Sequence, residues 1–314
     1  MKKKINVAVI GCGNLGQHHV RIYNSLDSVR LVAVVDIDTE KLKKIKQIYS
    51  NIETTTNYKE IIDKVDAVSI VVPTKLHYQI SKDILQCNKH ILVEKPITTT
   101  LQEAEELIRI SQQRNLILQV GHVERFNPIV QKIKEYIKEP KFIEAIRLNN
   151  FDPRVADIGV VLDLMIHDID IILYFMKDVK LKRVEAFGGK VFTDKEDIVK
   201  ARLEFDNGCI CDLTTSRVSP TKYRKMHIFQ KESYISLDFI RQQAKIYKKT
   251  NSDTMSLNNI EITRLKVKKD EPLKLEIEHF INSILENKKP LVSGEHAKNA
   301  LEIALEILNN LKFQ

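Results

Sequence analysis

The stretch Ile5-Asn6-Val7-Ala8-Val9-Ile10-Gly11-Cys12-Gly13-Asn14-Leu15-Gly16 decides how this chain is read. Ile5 to Ile10 is a short apolar run of strand type. Gly11 to Gly16 then fits GxGxxG where that strand gives way to a helix reaching about Leu26. Gly11 permits the tight turn, Gly13 lets a pyrophosphate approach the backbone, and Gly16 lets helix and strand pack closely. The helix start offers N–H groups and a favourable dipole to phosphates. Asp36 closes the next apolar strand, Leu31 to Val35, twenty residues past Gly16. A carboxylate there can bind both ribose hydroxyls of NAD and repels the extra phosphate of NADP. No Arg directly follows Asp36, so NAD is the expected cofactor.

Outward from this loop, apolar strands and helices alternate. A polar helix is expected from Thr39 to about Tyr49, and a short edge strand and short helix between Asn51 and Ile62. Further strands are expected at Ala67 to Val72, His90 to Val93 and Leu116 to Val120, with helices at His77 to Gln86 and Leu101 to Arg114. Continuous apolar strands alternating with helices imply a parallel sheet covered on both sides. This predicts an α/β fold whose N-terminal part is a doubly wound Rossmann domain over residues 1–121. Past Gly121 the pattern changes to a helix near Pro128 to Lys138 and then many sequential strands, with an Asn207-Gly208 hairpin turn. Residues 122–314 are therefore read as an α+β domain with a large, open, mostly antiparallel sheet. Two amphipathic helices, Leu273 to Glu286 and Glu295 to Leu311, close the chain and are candidates to pack back on the first domain.

Composition narrows the function classes. The net charge is +8, from 50 basic and 42 acidic residues. The basic residues are scattered as a solvated surface, without the arginine runs or basic–aromatic interleaving of a nucleic-acid partner. A positive bias still steers an anionic small substrate. No apolar run reaches membrane-spanning length, and the basic start Met1-Lys2-Lys3-Lys4 lacks a signal-peptide cleavage site. Cys12, Cys87, Cys209 and Cys211 form no CxxC pair, which points to a reducing, cytoplasmic setting. Cys209 and Cys211, two apart in a strand, read as small apolar residues on one face.

A second informative stretch is the apolar segment Val160 to Phe175, expected to be one buried helix. Asp163, His167 and Asp170 interrupt it at i, i+4 and i+7 and so share a stripe. Charges on such a helix cost free energy unless they are paired or serve chemistry. Glu94-Lys95-Pro96 lies beyond a strand end, where ligands sit in open parallel sheets. Lys95 there can reach a substrate hydroxyl and stabilise a developing alkoxide. The Lys95–Pro96 bond is a candidate for cis.

On these residues the chain resembles the Gfo/Idh/MocA oxidoreductase family over nearly its whole length. The resemblance rests on the glycine loop, Pro73-Thr74-Lys75-Leu76-His77, Glu94-Lys95-Pro96, Asp163-Leu164-Met165-Ile166-His167 and Ser293-Gly294-Glu295. It implies Lys95, Asp163 and His167 as the catalytic trio. It implies Gly11, Gly13, Asn14, Leu15, Gly16, Asp36, Thr74, His77, Glu94 and Lys95 around the cofactor. Substrate binding and oligomerisation by residues 122–314, as a homodimer or homotetramer, are implied as well. Gly121 to Pro128 and Asp157 to Asp163 resemble the branch acting on nucleotide-linked amino sugars. That branch oxidises C3 of UDP-N-acetylglucosamine to a 3-keto product. A partner aminotransferase converts this to a 3-amino sugar for lipid A or other surface glycans. His122, Glu124 and Arg154 are the candidate substrate contacts. The family's cyclic-polyol branches often carry Arg where this chain has Glu124, which argues against inositol.

The expected chemistry is oxidation of a secondary ring hydroxyl. His167 acts as general base, Lys95 binds the same oxygen, Asp163 orients Lys95 or the substrate, and Asp170 fixes the His167 tautomer. No metal is required. Arg125 is read as an ion-pair residue, and His18 and His19 as partly exposed helix positions. Three other readings fit the same residues: a buried ion-pair network or metal site on the helix, a dehydrogenase of a free sugar or polyol, and a non-catalytic NAD(H) sensor.

Overall fold

The computed structural model describes residues 4–153, 158–250 and 260–313. It divides into two compact units, Met1–Val123 with Glu271–Lys298 and Glu124–Asp270 with Asn299–Gln314.

In the first unit, β1 (Ile5–Ile10), α1 (Asn14–Ser25), β2 (Val29–Val35), α2 (Thr39–Ile48) and β3 (Glu53–Thr55) are followed by β4 (Ala67–Ile70), α3 (His77–Gln86), β5 (His90–Glu94), α4 (Leu101–Gln113) and β6 (Leu118–Gly121). The short helix expected before β4 is a 3₁₀ turn, Tyr58–Lys64, and a further 3₁₀ turn, Thr74–Leu76, leads into α3. All strand pairs are parallel, in the order β3-β2-β1-β4-β5-β6. That order reverses direction between β1 and β4, and the crevice beyond their carboxyl ends is where such folds take ligands. Local chemistry sets the helix starts. Asp38 caps α2 through the Glu40 and Lys41 amides, and Thr100 with Glu103 forms a reciprocal capping box on α4.

In the second unit, α5 (Pro128–Ile133) continues as a 3₁₀ turn, Lys134–Tyr136, so the expected single helix to Lys138 is broken. There follow β7 (Pro140–Leu148), a π-helical turn (Val161–Met165) and α6 (Ile166–Phe175). The strands β8 (Leu181–Gly189), β9 (Ile198–Phe205), β10 (Ile210–Ser216), β11 (Tyr223–Gln230), β12 (Ser233–Asp238), β13 (Gln243–Lys249) and β14 (Ile260–Lys266) come next. The closing elements are α7 (Pro272–Glu286), α8 (Gly294–Asn309) and β15 (Leu311–Phe313). The sheet runs β14-β13-β12-β11-β7-β10-β9-β8-β15. It is mixed: β10 with β7 and β15 with β8 are parallel, and the other pairs are antiparallel. Strict alternation sets its faces. Val199, Ala201, Leu203 and Phe205 of β9 point inward while Lys200 and Arg202 point out.

Helix α7 belongs with the first unit. Its Ile277, Phe280 and Ile281 share a core with Val20 and Tyr23 of α1 and Val7 and Val9 of β1. Truncating a fully buried side chain such as Phe280 costs about 3–5 kcal/mol. Among the described residues no helix is long and apolar enough to cross a membrane.

Candidate active site

The glycine loop has the geometry its spacing demands. Gly11 has φ +93°, and a Cβ there would lie 2.1 Å from the Val71 carbonyl oxygen. A Cβ on Gly16 would lie 2.0 Å from the Gly11 carbonyl oxygen, so helix and turn touch only because neither residue has a side chain. At Gly13 nothing lies within 4 Å of such an atom. Gly13 is also the N-cap of α1; no side chain caps it, and the first turn carries no acidic residue. Exposed Asn14 and Leu15 complete that turn. The start of α1 thus keeps its donors and its positive end for an anion, which fits a dinucleotide pyrophosphate.

Asp36 is fixed as part of this cradle. Its Oδ2 accepts from the Cys12 amide at 2.7 Å and its Oδ1 from the Asp38 amide at 2.9 Å. Burial, with the Asp36 carboxylate close by, pushes the Cys12 thiol up to about 12, so it stays protonated at neutral pH.

Glu94 closes β5, Lys95-Pro96 follow it at the same sheet edge, and the Lys95–Pro96 bond is cis. Glu94 is buried. Its Oε1 lies 3.2 Å from His19 Nε2, and its Oε2 accepts from the Lys95 amide at 3.3 Å. The other His19 nitrogen lies 3.3 Å from Ser69 Oγ, which is 2.7 Å from the Tyr23 hydroxyl. His19 is therefore fully buried, not partly exposed, because it links α1 to the tripeptide; His18 alone is exposed. Glu94 also needs Gly121 beside it, since a Cβ there would stand 2.7 Å from Oε2. His77 bridges the loop after β4 to this turn, with Nδ1 2.8 Å from the Pro96 carbonyl oxygen and Nε2 2.8 Å from that of Val72. Burial lowers its pKa, although both carbonyls oppose that shift. Thr74 opens the 3₁₀ turn next to it.

In the second unit, the helix expected over Val160 to Phe175 starts as the π turn before α6 takes over. Such turns are frequent at functional sites. Four ionisable residues divide by exposure. Asp163 and His167 are half-buried, and Asp168 and Asp170 are buried. Arg147 holds Asp168 from Nε and Nη2 at 2.9 and 2.7 Å and donates from Nη1 to Glu124 at 2.9 Å. Arg125 holds Asp170 from Nε and Nη2, both at 2.7 Å. Asp170 is thus an ion-pair partner whose two oxygens carry Arg125. Arg125 has the ion-pair role read from the sequence.

Glu124 lies in the same buried network, its carboxylate accepting from Arg147. Burial pulls its carboxyl up, but Arg147 and Arg224 outweigh that and hold it below the usual range. Burial lifts the Asp168 carboxyl despite Arg147. His122 is buried. Arg154 lies outside the described residues.

The start of the helix is clamped by residues the sequence did not single out. Glu196 accepts from the Val160 amide through its carbonyl at 3.1 Å and from the Val161 amide through Oε1 at 3.3 Å. Arg217 donates from Nη1 to the Ile158 carbonyl at 2.5 Å and from Nε to Asp197 at 2.6 Å. Asp197 Oδ2 takes the amides of Val191, Phe192 and Thr193 at 2.7, 2.7 and 3.0 Å. Burial opposes ionisation of Asp197, yet those amides and Arg217 win and depress its pKa strongly. The available signal was position in the strand: Arg147 occupies the inward phase of β7 after Ile143 and Ala145.

A parallel sheet in this order, with an unobstructed glycine cradle at its switch point, defines a dinucleotide-binding domain. Joined to a large second sheet, it is the architecture of a two-domain oxidoreductase. The chain belongs to the Gfo/Idh/MocA family: residues 5–122 match its NAD-binding Rossmann domain and residues 143–236 its C-terminal domain. NAD is the cofactor of this domain. The chain is 32% identical to the UDP-N-acetylglucosamine 3-dehydrogenase of Acidithiobacillus ferrooxidans over 304 residues, 96% of each chain. It is 26% identical to the myo-inositol 2-dehydrogenase of Thermotoga maritima, covering 95% of this chain and 93% of that one. A solved structure of the A. ferrooxidans enzyme, GnnA, superimposes with a TM-score of 0.91 at 31% identity, covering 98% of both chains. Levoglucosan dehydrogenase in complex with NADH and levoglucosan shares the fold, with a TM-score of 0.86 at 18% identity over 98% of this chain and 97% of that one.

Proposed function

We propose that this oxidoreductase uses NAD to oxidise C3 of UDP-N-acetylglucosamine to the 3-keto sugar nucleotide. The observation that carries this is likeness to an enzyme of that activity through both domains at 32% identity. The presence of Lys95, Asp163 and His167 agrees with it. The first unit binds the dinucleotide and the second holds the sugar nucleotide.

Bound NAD supplies the hydride acceptor. His167 takes the proton of the ring hydroxyl, for which an imidazole is suited near neutral pH. Lys95 donates a hydrogen bond to the same oxygen and stabilises its growing negative charge. Asp163 orients the ammonium or the substrate. Asp168 and Asp170, neutralised by arginines, set the helix on which His167 is carried. His19 and Glu94 hold the backbone that presents Lys95. Glu124 acts through Arg147 as a positioning residue, and His122 and Arg154 contact the sugar nucleotide. No step needs a metal.

The product is consumed by an aminotransferase that yields a 3-amino sugar for lipid A or another surface glycan. The setting is the cytoplasm, and the active form is a homodimer or homotetramer, which light scattering checks. The deciding experiment follows NADH fluorescence with UDP-N-acetylglucosamine and the aminotransferase present to draw off the keto product. NADH formation that requires the UDP-linked sugar supports the proposal. Turnover of a free sugar or inositol, insensitive to UDP, replaces it with the polyol reading favoured by the likeness to inositol dehydrogenases. No NADH from any sugar returns the NAD(H)-sensor reading.

A further inference from the structure

Among the described residues four buried or half-buried arginines face the core of the second unit, and three are saturated. Arg125, Arg147 and Arg217 each hold a carboxylate at 2.6–2.7 Å. Arg224 does not. It lies directly across from Arg147 in the β11–β7 pairing, in the inward phase it shares with Met226 and Ile228. Among the described residues its ion pair is a 3.7 Å approach of Nη1 to Glu124 Oε1, an oxygen Arg147 already occupies at 2.9 Å. Its Nε is buried with no acceptor. The side chain is nonetheless 32% exposed, so part of the guanidinium meets solvent.

Two like charges opposed across a strand pair are unfavourable, and a buried donor left unpaired costs about 1–3 kcal/mol. Burial and the Arg147 charge depress the Arg224 pKa, against the pull of Glu124, Asp168 and Asp163. Arg147, directly opposite in the sheet, holds Asp168 next to His167, which sets Arg224 near the helix that carries His167. A structural arginine would have been satisfied as its three neighbours are. An under-compensated guanidinium with an open edge is suited to an incoming oxyanion, which it can bind with two parallel hydrogen bonds.

We propose that Arg224 anchors the diphosphate of the nucleotide-linked substrate. This rests on the sugar-nucleotide reading above, and the test separates the two. Titration calorimetry with saturating NADH, which keeps nucleotides out of the dinucleotide site, measures UDP, uridine and N-acetylglucosamine binding to the wild type, R224Q and R224K. The expected result is a UDP affinity lower by at least about tenfold in R224Q, or about 1.4 kcal/mol, and by less in R224K. Uridine binding and NADH binding stay unchanged, and wild-type UDP binding weakens with salt. In steady state, R224Q raises KM for the sugar nucleotide by a similar factor while kcat changes by less than about threefold. Circular dichroism identifies a misfolded variant; should R224Q misfold, R224K decides, and an unaltered UDP affinity there overturns the proposal. Equal UDP binding by wild type and R224Q, equal wild-type affinity for UDP and uridine, or no UDP binding by the wild type also overturns it. UDP binding through Arg224 without oxidation of UDP-N-acetylglucosamine refutes the substrate reading alone.

Discussion

Replacing Asp197 by Asn tests whether the clamp at the helix start is a source of stability and activity together. The carboxylate is fully buried, and its partner Arg217 is 2% exposed. One oxygen takes three backbone amides, and the other takes Arg217 Nε and the Thr193 hydroxyl. An Asn amide must turn its NH₂ toward one of these donor sets and takes the Asp197 charge away from the buried guanidinium. Removing one member of a buried pair costs about 3–5 kcal/mol. At about 2–4 °C per kcal/mol, the lower bound lowers the melting temperature by about 6–12 °C.

Urea denaturation, followed by a probe in the second unit, measures the loss. Because the folded-state pKa of Asp197 is depressed, its contribution is complete above the unfolded value of about 3.9 and fades as pH falls through the folded one. The gap between wild type and D197N therefore narrows in acid. D197N/R217M should recover part of the loss, since it buries no unpaired charge. Turnover should fall in D197N while NAD affinity holds, because Arg217 also fixes the Ile158 carbonyl ahead of Asp163. A D197N protein within about 1 kcal/mol of wild type at neutral pH would refute the reasoning.

Lys95→Ala and His167→Ala should each cut turnover by about 10²–10⁴-fold with NAD binding intact, as read by stopped-flow and nucleotide titration; retained turnover with lost NAD binding would reverse the roles. Asp36→Ala should weaken NAD by about 10–100-fold, the worth of hydrogen bonds to a charged group, and NADP by less. Equal wild-type affinities for the two nucleotides would count against the ribose contact. Gly16→Ala should abolish measurable NAD binding, because its Cβ would start 2.0 Å from the Gly11 carbonyl oxygen. Unaltered binding in that variant would show that the turn yields.

The first domain was legible because its signals are local. The glycine spacing, the apolar strands and Asp36 lie within one stretch, and each has the geometry its neighbours imply. The second sheet was legible where strands alternate cleanly, as in β9. Strands β14 and β15 were missed because they are edge strands: Ile260, Ile262 and Phe313 are exposed, so no buried face marks them. The π turn left no trace, since an apolar run reads the same with either hydrogen-bond pattern. The ion pairs escaped because their partners are far apart in sequence. Arg147 and Asp168 are separated by 21 positions and Arg125 and Asp170 by 45. The same distance hid the arginine at Asp170, where only the histidine one turn away is visible in the sequence.

The bond from the Cys12 amide to Asp36 ties cofactor choice to the integrity of the phosphate turn. The carboxylate that would discriminate against a 2′-phosphate is also the latch that closes the loop. A lineage drifting toward NADP could not simply trade this side chain for a neutral or basic one. It would first loosen the grip on either nucleotide, and only a second change supplying a new acceptor for that amide would restore it. Redesign of the cofactor preference in this scaffold therefore has to begin with the loop.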